Sequence, residues 1–304
     1  MTPPQVSIIV PSYNGKDKVI RLLHSLEQQT FLAFEVIVVL DGSTDGSIEA
    51  LKLNHWKLPS LRVIETKNNG RAGARNTGAR EAKYNLLIFF DDDMVIDLMC
   101  VEQHSIAADF HLKRIVMGQV IEPCNASDKE IKKYKDYLNK SWAEKIDLYK
   151  KQNLPFDYTF LTAQNFSISK MLFAELNEFN PDLKDIEDYD LALRAKSKMI
   201  PIYYLDTALA VHCDFFSFHK YALRSKDYLK NRILAAKFNP ELYFYDPILN
   251  HKNSTLQKLI YPLFKYSFWL TLFDTNLLAH ILPKKMRYQL YGIAITAYIH
   301  NQPK

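Results

Sequence analysis

The segment LLIFFDDDM, Leu86 to Met94, sets five apolar residues directly against three aspartates. A short apolar run bounded by polar residues reads as a strand buried on both faces, the kind found in parallel sheets. Three adjacent carboxylates at the end of such a strand repel one another and are costly unless a cation or hydrogen-bond donors compensate them. Hard divalent cations take carboxylate oxygens. An isolated acidic triplet reads equally well as a solvated turn or a helix N-cap. Its position directly after LLIFF favours a site.

Working outward, the same grammar repeats. Val6 to Val10 is an apolar run stopped by Pro11, followed by a turn at Asn14-Gly15. Val19, Leu22, Leu23 and Leu26 then recur at helical spacing. Phe34 to Leu40 is a second run, ending in Asp41-Gly42, and Leu61 to Glu65 predicts a third strand. The alanine-rich stretch Arg71 to Ala82 suits a helix. Strands alternating with helices imply a parallel sheet with crossover connections. Ligands of such sheets bind beyond the carboxyl ends of the strands. Ser12 to Gly15, Asp41 to Asp45 and Asp91 to Asp93 are therefore expected to converge on one crevice.

Further along, residues 125–157 are lysine-rich with scattered aromatics and predict a helix and loops inserted into the sheet. Phe160 to Ser169 is expected to return to the sheet. Glu187 to Lys196 predicts a helix and Ile202 to Leu205 a late strand. Phe215 to Phe238 reads as a long amphipathic stretch. In Glu187-Asp188-Tyr189-Asp190 the acids suit the first turn of a helix. The same residues allow Asp188 to act as a general base, held by Glu187 or Arg194. His212 closes the segment ALAV, and imidazole can join carboxylates around an ion such as Mn²⁺. The segment from Asn69-Gly70 to Gly78 mixes glycines with Arg71 and Arg75, which suits backbone close to a phosphate. No GxGxxG follows the first strand and no GxxxxGK[ST] occurs, which argues against dinucleotide and P-loop sites.

Composition bounds the rest. The chain has 304 residues, 48% of them hydrophobic and 24% charged, as in ordinary globular proteins. A net charge of +5 is too mild to argue for nucleic acid, and suits a polyanionic small substrate or an anionic membrane surface. Cys100, Cys124 and Cys213 form no CxxC pair, so a reducing cytosol is the expected compartment. The first residues, MTPPQVSIIVPSYN, carry no secretory pattern. The tail from Leu256 to His300 is rich in Leu, Ile, Tyr and Phe, but Lys265, Asp274 and Pro283 interrupt its runs. Three readings stay open for it: helices packed into the protein or a dimer, helices lying in a membrane interface, and, least favoured given those interruptions, a membrane span.

Taken in order, VSIIVPSYN (6–14), VIVVLDGSTDGS (36–47), KNNGRAGARNTGAREA (67–82), LLIFFDDDM (86–94) and IEDYDLALRA (186–195) resemble the family 2 glycosyltransferases of GT-A fold. The resemblance runs from Val6 to about His212. It implies an α/β fold of the nucleotide-diphospho-sugar transferase type: a mostly parallel central sheet flanked by helices, with a C-terminal helical appendage. The division it suggests is residues 1–220 for the transferase domain and 221–304 for the helical region. Within the first, the nucleotide-sugar half would take about 1–95 and the acceptor half about 96–220.

The resemblance also assigns roles. Pro11 and Tyr13 would contact the base, Asp41 would read uracil or ribose, and Arg75 would lie near the phosphates. Asp91 and Asp93 match the outer acids of the DxD motif, with Asp92 between them. Asp93 would bind Mn²⁺ or Mg²⁺, joined by His212, while Asp91 approaches the ribose or donor sugar. Glu187 and Asp188 match the ED motif, with Asp188 the catalytic base. The implied activity is inverting transfer from a nucleotide diphosphate sugar, a UDP-sugar foremost, to a glycan or lipid-linked acceptor of bacterial cell-envelope assembly. The implied location is the cytoplasm or the inner face of the membrane. Two alternatives on a related α/β fold are a non-catalytic sugar-nucleotide-binding protein and a nucleotidyltransferase. In this sequence Leu40 stands where the family often has a further acid, and Asp185-Ile186 precede Glu187 where a glycine is common.

Overall fold

The computed structural model describes residues 4–108, 112–125, 128–158, 160–213, 217–250 and 254–300, with the side chain of Ser141 outside the description. The expected amphipathic stretch from Phe215 thus begins outside the described residues. The chain forms two compact units, one of Met1–Glu122 with Lys145–Cys213, the other of Pro123–Glu144 with Asp214–Lys304.

The described strands are β1 (Val6–Ser12), β2 (Phe34–Asp41), β3 (Leu61–Thr66), β4 (Leu86–Phe90), β5 (Met94–Ile96), β6 (Ile115–Ile121), β7 (Gln152–Asn153), β8 (Asn165–Ser169) and β9 (Ile202–His212). The helices are α1 (Lys16–Leu26), α2 (Ser47–Leu53), α3 (Gly70–Glu81), α4 (Cys100–Ala107), α5 (Glu130–Ile146), α6 (Lys170–Glu175), α7 (Glu187–Ser197), α8 (Phe218–Phe238), α9 (Thr255–Phe264), α10 (Ser267–Asp274), α11 (Leu277–Ile281) and α12 (Lys284–His300).

The first unit is built on one sheet of order β3-β2-β1-β4-β8-β6-β9-β5, with β7 added on β9. The half β3-β2-β1-β4 is parallel throughout. Beyond β4 the sheet is mixed: β8 is antiparallel to β4 and β6, while β6 and β9 run parallel. The apolar runs of β1, β2 and β4 are buried along their whole length, because helices cover both faces. On one face α1 buries Val19, Leu22, Leu23 and Leu26 completely, each worth about 1.5–3 kcal/mol of burial. On the other, α3 lies close on β1 and β2 because its inner face is small. A Cβ at Gly78 would press on Ile9 and Val39.

The parallel register decides where polar residues emerge. Val6 to Ser12 pairs with Phe34 to Leu40, and Val6 to Ile9 pairs with Leu86 to Phe89. The last residues of β1 and β2, Pro11, Ser12 and Asp41, therefore lie at the carboxyl edge of the sheet, where Tyr13-Asn14 and Asp91–Asp93 leave it.

The second unit is helical. Tyr134 of α5 packs among Phe218, Tyr288 and Tyr291, with Phe273 alongside. Arg287 pairs with buried Glu130 at 2.5 Å. Ser217 caps α8, and Ser254 and Gln257 form a capping box on α9. The lysine-rich segment does form a helix, α5, most of which belongs to this unit. α12 buries Tyr288, Tyr291, Ala294, Ile295 and Ala297, whereas α9 buries no side chain. Among the described residues no helix is long and apolar enough to cross a membrane.

Candidate active site

The three loops expected to converge do meet. The Asn14 amide donates to Ser43 Oγ at 3.0 Å, the Thr44 amide to Asn14 Oδ1 at 2.8 Å and the Lys16 amide to Asp45 Oδ2 at 2.9 Å. Ser12 Oγ donates to Asp92 Oδ2 at 2.5 Å. Gly15 permits this approach: a Cβ there would collide with the Asp92 carboxylate and Ser12 Oγ. Pro11 is buried within β1, while Tyr13 is 56% exposed at the mouth.

Asp41 is buried and its Oδ1 accepts from Thr66 Oγ1 and the Asn69 amide, each at 2.7 Å. Those bonds fix the carboxylate at the end of β2 and tie it to the start of α3. They require the tight turn at Gly42, whose φ of +77° favours glycine.

Arg75 is 1% exposed and lies at the centre of the acidic cluster. Its guanidinium donates to Asp91 Oδ1, and to Glu187 Oε1 at 2.5 Å, and its Cζ sits 5.6 Å from the ring centroid of Phe179. Burial works against its charge, but Asp91, Glu187 and Asp188 outweigh that and hold it firmly protonated. Glu187, 4% exposed, is pushed up to about 7 by burial, with Asp188 adding to the rise and Arg75 opposing it.

Asp188 is half-buried and raised by burial, against the backbone donors that favour its charge. Its Oδ2 accepts from the Ala163 amide at 3.1 Å and its Oδ1 from the Tyr189 amide at 2.8 Å. Neither residue expected to hold Asp188 does so. Glu187 turns to Arg75, and Arg194 pairs with Asp190 at 2.8 Å. The reason is helical spacing: Asp190 and Arg194 are neighbours one turn apart on α7, and Asp188 is not in reach of that pairing.

Asp93 is 9% exposed. Its Oδ2 lies 3.4 Å from Lys18 Nζ and 3.5 Å from His212 Nε2, and its carbonyl accepts from the Cys213 amide at 2.9 Å. His212 Nδ1 meets Glu122 Oε1 at 2.6 Å. Burial pulls His212 down, but Asp93 and Glu122 carry it up to about 9. Burial tends to raise Asp93, and His212 and Lys18 reverse this to hold it well below the usual carboxylate range. Asp92 is pushed up to about 7 by burial, with Asp93 and Asp91 adding to the rise and the Ser12 hydrogen bond opposing it.

The fit to a divalent cation rests on one atom. Asp93 Oδ1 is buried with no hydrogen-bond partner among the described residues. A buried carboxylate oxygen left so is costly, and a cation would satisfy it. Among the described residues no three His, Cys, Asp or Glu side chains form a ready-made metal cage. Asp93 suits the open kind of site in which a substrate phosphate completes the coordination, and His212 would join it by giving up its Nε2 proton to make room for the ion.

The sequence profile of glycosyl transferase family 2 matches residues 7–173. The chain belongs to glycosyl transferase family 2. An uncharacterised glycosyltransferase of Haemophilus influenzae is 31% identical over 205 residues, covering 62% of this chain and 61% of that protein. Chondroitin synthase of Escherichia coli is 25% identical over 253 residues, 81% of this chain and 35% of the synthase. The chain thus spans less than two-thirds of the length of these relatives. Among solved structures, a Pyrobaculum calidifontis mannosyltransferase in complex with GDP-Man and Mn²⁺ aligns over 99% of this chain and 88% of its own, with TM-score 0.66 and 18% identity. Staphylococcus aureus TarS residues 1–349 with UDP-GlcNAc aligns over 97% and 89%, with TM-score 0.54 and 17% identity. These likenesses establish the GT-A fold.

Four further residues join the candidate site: Ser12 as the Asp92 donor, Lys18, Glu122 and Ala163. Each acts through a contact between distant segments. Only Glu122 left a signal, an acid directly after the apolar residues of β6.

Proposed function

We propose that the protein transfers a sugar from a nucleotide diphosphate sugar, a UDP-sugar foremost, to a hydroxyl of a glycan or lipid-linked acceptor, with inversion. The observation that carries this is Arg75, bonded at once to Asp91 and Glu187. It locks the acidic run at the end of β4 and the acidic pair opening α7 into one constellation.

The carboxylate of Asp41 accepts from the base or ribose, with Pro11 and Tyr13 beside the base. Asp91, oriented by Arg75, takes the ribose or donor-sugar hydroxyls. Asp93 and His212 would hold Mn²⁺ or Mg²⁺, and a bound ion supplies charge neutralisation for the leaving diphosphate. The mannosyltransferase complex with GDP-Man and Mn²⁺ supports that use of a metal. Asp188 takes the proton of the acceptor hydroxyl as its oxygen bonds to the anomeric carbon. The bond to the diphosphate breaks on the opposite face, and its electron pair leaves with the diphosphate. Burial raises the proton affinity of Asp188, which makes it a better base.

The second unit supports a membrane-located acceptor. Leu256, Leu259 and Leu263 form one stripe along α9, each at least 65% exposed. Across residues 254–300 Lys258, Lys265, Lys284 and Lys285 stand against a single acid, Asp274, which accepts from the Phe218 amide, while Arg287 is taken by Glu130. An apolar stripe in a basic segment suits peripheral docking on an anionic bilayer.

A thermal-shift screen of nucleotide sugars with and without Mn²⁺ tests the donor reading, because a ligand of the folded state raises its stability. A UDP-sugar should stabilise the wild type further when Mn²⁺ is present, and Asp93→Ala should lose that increment. A full Mn²⁺ increment in Asp93→Ala would remove Asp93 from the metal site. Pyrophosphate release from a nucleoside triphosphate would instead favour a nucleotidyltransferase.

A further inference from the structure

Between β6 and β9 the parallel ladder breaks. Ile115 to Gly118 pairs with Ile202 to Leu205, and pairing resumes with Gln119 opposite Leu209. Asp206, Thr207 and Ala208 therefore bulge out of β9. Backbone carbonyls at such a bulge lose ladder partners and need others when buried.

Asn165 of β8 fills the break. Its Nδ2 donates to the Gln119 carbonyl at 3.0 Å and to the Ala208 carbonyl at 2.7 Å, one on each strand. Its Oδ1 accepts from His104 Nε2 at 2.8 Å, and His104 Nδ1 accepts from Ser167 Oγ at 2.9 Å. Each proton has one place to go. The amide must donate to the two carbonyls, so His104 must donate to the amide oxygen and Ser167 to His104. Asn165, His104 and Ser167 are at most 1% exposed. Gly118 leaves the room, since a Cβ there would collide with the Asn165 amide and the Ala208 carbonyl.

Both strands run from this plug to the cation site. β6 leads to Glu122 and β9 to His212, whose side chains meet at 2.6 Å, and His212 faces Asp93 at 3.5 Å. Side chains alternate along a strand, so a slip of one residue beyond the bulge would turn His212 to the opposite face.

We propose that Asn165, locked by His104, is a positioning residue for the cation site: it sets the register that brings Glu122 to His212 and His212 to Asp93. This rests on the reading of Asp93 and His212 as the cation-holding pair. Residues that orient metal ligands from behind typically contribute about 10–100-fold to metal affinity.

The test is calorimetric titration of UDP into the full chain with and without Mn²⁺, the ratio of the two affinities being the readout. Asn165→Ala and His212→Ala should each cut that ratio by about tenfold or more. The double variant should lose little beyond either single one, because they act on one element. Ser7→Ala is the control. It removes a buried hydroxyl bonded to Glu35 at the far end of β1, and should lower thermal stability with the ratio intact. His104→Phe, which frees the amide while filling its space, gives the same readout where Asn165→Ala fails to fold. A reduced ratio in that variant supports the proposal. If Asn165→Ala or His104→Phe is destabilised with an unchanged ratio while His212→Ala loses it, the positioning role is wrong. If His212→Ala also keeps the ratio, the cation pair itself is misassigned and the proposal falls with it.

Discussion

Replacing Arg75 by Met removes a cation bonded to both Asp91 and Glu187, whose side chains are 20% and 5% exposed. Breaking a buried ion pair typically costs about 3–5 kcal/mol, because the remaining charge is left without a partner. Water reaches Asp91, so the low end applies, about 3 kcal/mol. For a unit of this size that is a fall of about 6–12 °C in the melting midpoint. The loss should depend on pH, and its sign follows from Glu187. Burial raises Glu187 from its ordinary 4.5 to about 7, so the folded state keeps a proton that the unfolded chain has lost in that window. Stability from this group is present below the window and declines as pH rises through it. Arg75 opposes the rise, so Arg75→Met extends it upward. Its deficit should be largest near pH 8 and shrink toward pH 5, where a neutral carboxyl needs no cation. Circular-dichroism melts of wild type and Arg75→Met at the two pH values read this directly. The double variant Arg75→Met with Glu187→Met should recover much of the loss at pH 8. Equal midpoints for wild type and Arg75→Met, or a deficit indifferent to pH, would show that Arg75 does not hold a charged Glu187 in place.

Two further outcomes follow from the geometry. Gly15→Ala drives a methyl group against Asp92 and Ser12, so it should weaken UDP binding by calorimetry while leaving the far-ultraviolet spectrum unchanged; unaltered affinity would show that the loop yields freely. Flotation with vesicles should recover the wild type on anionic but not on zwitterionic membranes, and Leu256→Ser with Leu259→Ser should abolish it. A dimer that the same substitutions dissociate, without vesicle binding, would assign the stripe to a second copy.

Much of the first half was legible because β1, β2 and β4 are covered on both faces and therefore read as unbroken apolar runs. The acids at their ends were legible for the same reason. β6 was not, since Gly118 and Gln119 interrupt its run, and those residues make sense only beside the Asn165 plug. The strand expected at Ile202 to Leu205 extends to His212, because Asp206 and Thr207 belong to a bulge that periodicity reads as an end. β5, α2 and α4 are too short to impose a period of their own. At the candidate site, residue types singled out Asp41, Arg75, Asp93 and Asp188 as candidates. Which carboxylate holds which cation depended on contacts between distant segments, so Arg75 emerged as a buried strut and Arg194 as the partner of Asp190.

On the proposed function, Asp188 is the base for sugar transfer at this site. Nucleoside diphosphate release from the stabilising donor, measured for wild type and Asp188→Asn alongside donor affinity, tests it most directly. Asp188→Asn should keep donor affinity within about twofold of wild type and lose about 10²–10⁴-fold in turnover. Turnover at the wild-type rate in Asp188→Asn would contradict it.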